Sequence, residues 1–206
     1  MSIVASAAAT LVILVGTHAL LRDRIAANQH HAALSPLLAA FPVVQRQHIT
    51  LQIAGSLDDT DALGLRASTP FYRAFDGEKL IGWLIPAVAR QGYNGDISLV
   101  TAINPAGEII GTQVLDQRET AGLGDRIDRA KSKWLDTFNG HSLSNPSEGA
   151  WYVTRDSGRF DAITGATVTS RAVIQAIRYT LLYFQEHRTD FLAAGDAQIS
   201  ADSTHE

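Results

Sequence analysis

The sequence predicts an α+β protein in which a single N-terminal transmembrane helix precedes a globular domain, an antiparallel sheet flanked by helices. Three observations carry this expectation. Two hairpin signatures, centred on Asp76-Gly77 and on Asn104-Pro105-Ala106-Gly107, follow each other with no helical period between them. A long segment beginning near Thr167 repeats apolar residues at helical spacing. Residues 2–21 carry no charged side chain and are dominated by Ile3, Val4, Leu11, Val12, Ile13, Leu14, Val15, Leu20 and Leu21. A membrane span needs about 20 such residues.

Composition removes several function classes. The 206 residues suit one domain with an appendage. With 17 basic against 21 acidic residues, a formal charge of -4 and no basic run interleaved with aromatics, the chain lacks a nucleic-acid footprint. It has no cysteine. That excludes disulfides, iron–sulfur clusters, thiolate zinc sites, c-type haem attachment and thioether-linked flavin, so redox chemistry would need an organic cofactor. The division expected is an anchor at 1–23, a helical stem and linker at 24–70, the globular domain at 71–192 and a polar, disordered tail at 193–206.

Taken in order, the apolar run reads as a retained anchor, because no Lys or Arg precedes it as in a cleaved signal. Arg22 and Arg24 follow it with Asp23 between them, a small positive-inside signal pulling the downstream side toward the cytoplasm. The Ala-, Gln- and His-rich stem 25–41 is expected to break at Ser35-Pro36. His30 and His31 point to different helix faces and have no carboxylate at i+3 or i+4, which argues against a metal pair. A short strand is expected at 48–53 and a polar loop at 56–61. The first hairpin pairs 71–75 with 79–85 and closes at Pro86; the second pairs 97–103 with 108–115. Gly92-Tyr93-Asn94-Gly95 forms a loop whose tyrosine reads equally as a stacking residue or as plain surface.

Glu119-Thr120-Ala121-Gly122-Leu123-Gly124-Asp125 leads from the second hairpin into a predicted helix, with Ile127, Ala130, Trp134, Leu135 and Phe138 on one face and Asp125 as its N-cap. Gly122-x-Gly124 fails as a dinucleotide fingerprint, since Ile127 stands where the third glycine belongs and no acidic residue follows at ribose spacing. Residues 139–149 read as loop and 151–154 as a short strand. Ala172, Val173, Ala176, Ile177, Thr180, Leu181, Phe184 and Phe191 then mark the last helix. A hydrolase is disfavoured: none of the seven histidines, His141 and His187 included, sits in a recognisable motif beside a nucleophile. Asp125 and Asp128 read as first-turn complements to the helix dipole.

The chemically richest stretch is Asp161-Ala162-Ile163-Thr164-Gly165-Ala166-Thr167, where hydroxyls and small residues meet a helix start. Unpaired N–H groups and the positive end of the dipole make such a start receptive to phosphate, while Gly165 and Ala166 let a ligand approach the backbone. The alternative is simple capping by Thr167, Thr169 or Ser170. Physical chemistry leaves the choice among Thr164, Thr167, Thr169 and Ser170 open.

The same stretch resembles the D-x-x-[ST]-G-A-T pattern of covalent FMN-binding domains, in which FMN is joined through its phosphate to the final threonine. With Gly92-Tyr93-Asn94-Gly95 before a strand, Glu119-Thr120-Ala121-Gly122-Leu123-Gly124 before a helix, and the apolar N-terminus, the chain is similar to the G subunits of Rnf-type electron transport complexes. These are relatives of the C subunits of sodium-pumping NADH:quinone reductases. The resemblance runs from the span to about residue 191 and is weakest over 41–71. It implies covalent FMN on Thr167, a recognition pattern for a flavin transferase at Asp161, Thr164, Gly165 and Ala166, and a cofactor-facing loop at Glu119, Thr120, Gly122, Leu123 and Gly124. Ala121 stands where many relatives have proline, a change of loop stiffness more than of chemistry.

The implied function is electron relay within a membrane-bound, ion-translocating ferredoxin:NAD oxidoreductase, the chain being a redox subunit of that multi-subunit translocase, with enzyme activity of the isolated chain left open. Implied partners are other integral membrane and redox subunits and, during maturation, the flavin transferase, with no nucleic acid. The implied location is the bacterial inner membrane, single-pass, with the flavin domain on the periplasmic side. Two alternatives are a solitary membrane-anchored flavoprotein serving another extracytoplasmic reductase and a non-redox anchor or assembly subunit.

Overall fold

Turn chemistry and alternation build the sheet. A computed structural model describes residues 34–58 and 61–192. Five strands follow one another as an antiparallel meander, β1 (Ile49–Leu57), β2 (Thr69–Asp76), β3 (Lys79–Ala89), β4 (Ile97–Ile103) and β5 (Ile109–Asp116), in the spatial order β1-β2-β3-β4-β5. Gly77 takes a φ of +61° in the β2–β3 turn. Asn104 Oδ1 accepts the N–H groups of Ala106 and Glu108, each at 2.9 Å, and so shapes the β4–β5 turn. The α+β expectation therefore holds for the globular region. The predicted anchor at 1–23, residues 24–33 of the stem, and the tail at 193–206 lie outside the described residues. Among the described residues no helix is long and apolar enough to cross a membrane.

Pro86 does not close β3 as predicted; it pairs with Val100 of β4 inside the strand. The reason is local. Val88 N, on the same edge as the Pro86 nitrogen, bonds Leu63 O (2.8 Å), so that edge faces away from β4, and the β2 pairing has already ended at Tyr72–Leu84. The missing N–H therefore removes no ladder bond. The predicted break at Ser35-Pro36 is also displaced, since residues 34–38 are helical. The chain departs from helix just beyond, where guanidinium groups take the freed carbonyls: Arg46 bonds Phe41 O (2.8 Å) and Ala39 O (2.9 Å), and Arg129 bonds Ala39 O (2.7 Å).

The principal helix, α1 (Thr167–Glu186), packs across β3 and β4. Its buried Val173, Ile177, Leu181 and Phe184 meet Trp83, Ile85, Leu99 and Ile103 of the sheet in one core. Each such side chain contributes about 1.5–3 kcal/mol by leaving water. The Trp83 and Phe184 rings lie 5.4 Å apart.

The predicted 125–138 helix is instead two 3-10 helices, Gly124–Ile127 and Trp134–Phe138. Side chains compete for its backbone: Asp128 Oδ1 accepts Ala130 N (2.9 Å) and Ser132 Oγ accepts Trp134 N (3.2 Å). Ile127, Leu135 and Phe138 are nonetheless fully buried. Asp125 is not a side-chain N-cap; it pairs with Lys131 Nζ at 2.5 Å. The predicted strand at 151–154 is a single bridge, Val153 with Phe160, beside a 3-10 helix at Thr154–Asp156. The Phe160 ring packs against Phe138 and Trp151, both at 4.8 Å, and this cluster ties the irregular 124–160 segment into the core.

Candidate functional site

Three loops distant in sequence converge on one buried carboxylate. Glu119, just after β5, accepts Asn94 N on Oε1 at 3.0 Å and the Thr169 hydroxyl on Oε2 at 2.5 Å. It thereby joins the β3–β4 loop, its own loop and the first turn of α1. Asn94 Nδ2 adds a bond to Thr120 Oγ1 at 3.2 Å. A Cβ on Gly92 would stand 2.9 Å from Glu119 Oε1, and one on Gly124 would stand 2.9 Å from Glu119 Cβ and Oε2 and 3.0 Å from Thr169 Oγ1. Those glycines are where the loops must touch. Gly165 has a φ of +81° and a Cβ there would meet Leu123 Cδ2 at 2.9 Å, so the 161–167 loop seats directly on the 119–124 loop.

The helix start itself is open. The first backbone bond of α1 runs from Ser170 N to Ala166 O (3.0 Å), and no side chain caps the helix. The preceding first-turn N–H groups are therefore left for a ligand or solvent. The four candidate hydroxyls separate clearly. Ser170 Oγ is buried, donating to Ala166 O (2.9 Å) and accepting Ile163 N (3.0 Å), and Thr169 is committed to Glu119. Thr164 is exposed and off the cavity, whereas half-buried Thr167 lines it and makes no hydrogen bond to another described side chain.

On the opposite flank, the 154–156 turn is pinned by Thr154 Oγ1, which donates to Phe160 O (3.0 Å) and Asp161 Oδ1 (2.7 Å). Asp161 also accepts Trp134 Nε1 on its backbone oxygen at 2.7 Å. Asp156 is held by a two-pronged contact from Arg171, at 2.5 and 2.7 Å. That guanidinium keeps the Asp156 carboxyl below the usual carboxylate range, and Asp156 in turn raises Arg171. Beyond the cavity, the Lys131 ammonium holds Asp125 low in the same way.

The cavity between these flanks encloses about 530 Å³, within the size range of small-molecule sites. Of the residues singled out from sequence, Glu119, Thr120, Leu123, Gly124, Gly165, Ala166 and Thr167 line it; Asp161, Thr164 and Gly122 do not. Gly122 instead supplies a positive φ of +76° to the loop. Sequence reasoning missed Arg155 and Val168 as lining residues and left Tyr93 undecided; Tyr93 stands at the rim, 68% exposed. Tyr93 lay in a glycine-flanked loop that signalled a site, whereas nothing in the Arg155 neighbourhood did.

Residues 92–182, which include the residues lining the cavity, match the family described as the FMN-binding domain, so the chain carries a domain of that flavin-binding class. Among similar proteins, the G subunit of the ion-translocating oxidoreductase complex of Aliivibrio fischeri is 34% identical over 185 residues, 90% of this chain and 88% of that one. The corresponding G subunit of Vibrio parahaemolyticus is 35% identical over 197 residues, 93% of each chain. That of Shewanella piezotolerans is 40% identical over 139 residues, 68% of this chain and 66% of that one. The chain belongs to the family formed by the G subunits of ion-translocating oxidoreductase complexes, the Rnf type.

The residues present fit an FMN phosphate. An uncapped helix start supplies N–H donors, Thr167 presents an uncommitted hydroxyl, and Arg155 brings a positive charge to the same cavity.

Proposed function

We propose that this chain is an electron-relay subunit of a membrane-bound, ion-translocating ferredoxin:NAD oxidoreductase, with FMN joined through its phosphate to Thr167 Oγ1. The observation that supports this best is the half-buried Thr167 hydroxyl, without a hydrogen bond to another described side chain, at the uncapped start of α1 within the cavity. Attachment would esterify Thr167 Oγ1 with the FMN phosphate, delivered by a flavin transferase from FAD with release of AMP and loss of the hydroxyl proton. Asp161, Thr164, Gly165 and Ala166 form the pattern that the transferase reads.

Once bound, FMN supplies one- and two-electron transfer. The chain's own residues do the rest. The first turn of α1 offsets the remaining phosphate charge, Leu123 and Tyr93 offer apolar and aromatic surface at the rim, and Glu119 keeps the loops in place. Electron relay asks no acid or base of the protein. Residues 1–23 anchor the chain in the bacterial inner membrane, and the globular domain, whose sheet already begins with β1 at Ile49 inside the segment expected to be stem and linker, carries the flavin on the periplasmic side, next to the integral membrane subunits of the complex.

Full-length protein isolated with its transferase should fluoresce as a flavin after denaturing electrophoresis, and Thr167→Ala should abolish the band. Fluorescence that survives the substitution would sink the assignment. A reporter fused after Glu206 is expected to be active in the periplasm; cytoplasmic activity would reverse the topology.

A further inference from the structure

We infer that Arg155 is the cationic holder of the flavin phosphodiester. The inference rests on the reading that Thr167 carries a phosphate-linked flavin. Two ionisable residues of opposite sign line the Thr167 cavity, Glu119 and Arg155. Glu119 is consumed: it is buried, and both its oxygens are taken by Asn94 N and the Thr169 hydroxyl. Arg155 is exposed and makes no hydrogen bond or ion pair with another described residue. Its nearest acidic neighbour in sequence, Asp156, feels its charge but is turned into a two-pronged pair with Arg171 of α1, at 2.5 and 2.7 Å. The turn that bears Arg155 is fixed by the Thr154–Asp161 bond, so the guanidinium stem starts from a defined place beside the helix start.

A phosphodiester keeps one negative charge and two free oxygens. A guanidinium meets that pattern with two parallel N–H donors, which neither the helix dipole nor an ammonium reproduces. Arg155 thus complements the first-turn N–H groups of α1 from the opposite flank, and together they fix the tether by which the flavin hangs from Thr167. It also accounts for Asp161, which lies off the cavity: through Thr154 it positions the Arg155 turn.

The test uses full-length, flavin-loaded protein in detergent, with R155Q and R155K beside the parent. R155Q should shift the phosphorus-31 resonance of the phosphodiester and lower the flavin fluorescence anisotropy, R155K should move the resonance part-way, and in flavin-free Thr167→Ala protein R155Q should leave the melting temperature in place, because the Arg155 side chain has no hydrogen-bonded partner among the described residues. A resonance and anisotropy unchanged in R155Q overturn the inference. A parent protein with no phosphodiester signal overturns the underlying reading as well, so the two failures differ. A second measurement needs no Arg155 variant: phenylglyoxal should modify Arg155 severalfold more slowly in flavin-loaded protein than in Thr167→Ala, and equal rates would contradict the inference.

Discussion

The two flanks of the Thr167 cavity are built on different principles. On the Glu119 side the carboxylate has a protein partner on each oxygen, and Gly92, Gly124 and Gly165 are required because backbones and side chains touch there. On the Arg155 side the Asp156–Arg171 and Thr154–Asp161 contacts secure the turn, while the cation itself is left uncommitted. The first flank is a wall that stabilises the protein; the second is a fixed mount for a side chain that answers to a ligand. Substitutions on the wall should therefore register in unfolding experiments, and substitution of Arg155 should register only when flavin is present.

The largest effect is expected from Glu119→Leu. It strands Asn94 N–H and the Thr169 hydroxyl in a buried place, and should lower the unfolding free energy by about 3 kcal/mol in urea titrations. A loss no greater than that of a surface substitution would erase the contrast between the flanks. Gly124→Ala comes next. Its new Cβ would press on Glu119 and Thr169, at 2.9 and 3.0 Å, and a cost of about 2 kcal/mol is expected from the same measurement. Asp161→Ala removes the shorter of the two contacts of Thr154 Oγ1, leaving Phe160 O as its acceptor, and should cost about 1 kcal/mol, with Arg155 rendered more mobile.

The smallest effects are those of pH. Burial, then the charge of Arg159, holds the His141 imidazole below its ordinary 6.5. The unfolded chain then takes up the proton first, so the contribution of His141 is complete above 6.5 and declines as pH falls below it. Thermal melts between neutral pH and about pH 5 should show this decline, and His141→Asn should flatten it. The contribution of Asp156, depressed by Arg171, is present above the usual carboxylate range and is lost only in stronger acid.

Much of the sheet was legible because its signals are local. Asp76-Gly77 and Asn104 announce their turns, and alternation marks the strands between them. Pro86 misled, since only the edge it faces, where β2 has ended, decides whether a proline is tolerated. The 125–138 segment misled differently. Its apolar spacing correctly marks Ile127, Leu135 and Phe138 as buried, but Asp128 and Ser132 draw the intervening N–H groups away from a continuous helix. Within the site, the glycine strings could be seen in sequence because close backbone contact demands glycine. The distinction among Thr164, Thr167, Thr169 and Ser170 could not, as it depends on Glu119, fifty residues upstream of Thr169. Arg155 was invisible for a similar reason: what frees it is the pairing of its neighbour with Arg171, fifteen residues further along.

The central claim is that Thr167 alone carries the flavin. Fragment mass spectrometry of the full-length protein, isolated after expression with its transferase, tests it most directly. The peptide spanning 160–171 should carry the mass of one FMN less one water, with fragment ions placing it on Thr167, and the adduct should stay on Thr167 in Thr164→Ser, which keeps the hydroxyl the pattern asks for. An unmodified peptide, or an adduct placed on Thr164, Thr169 or Ser170, would contradict the account.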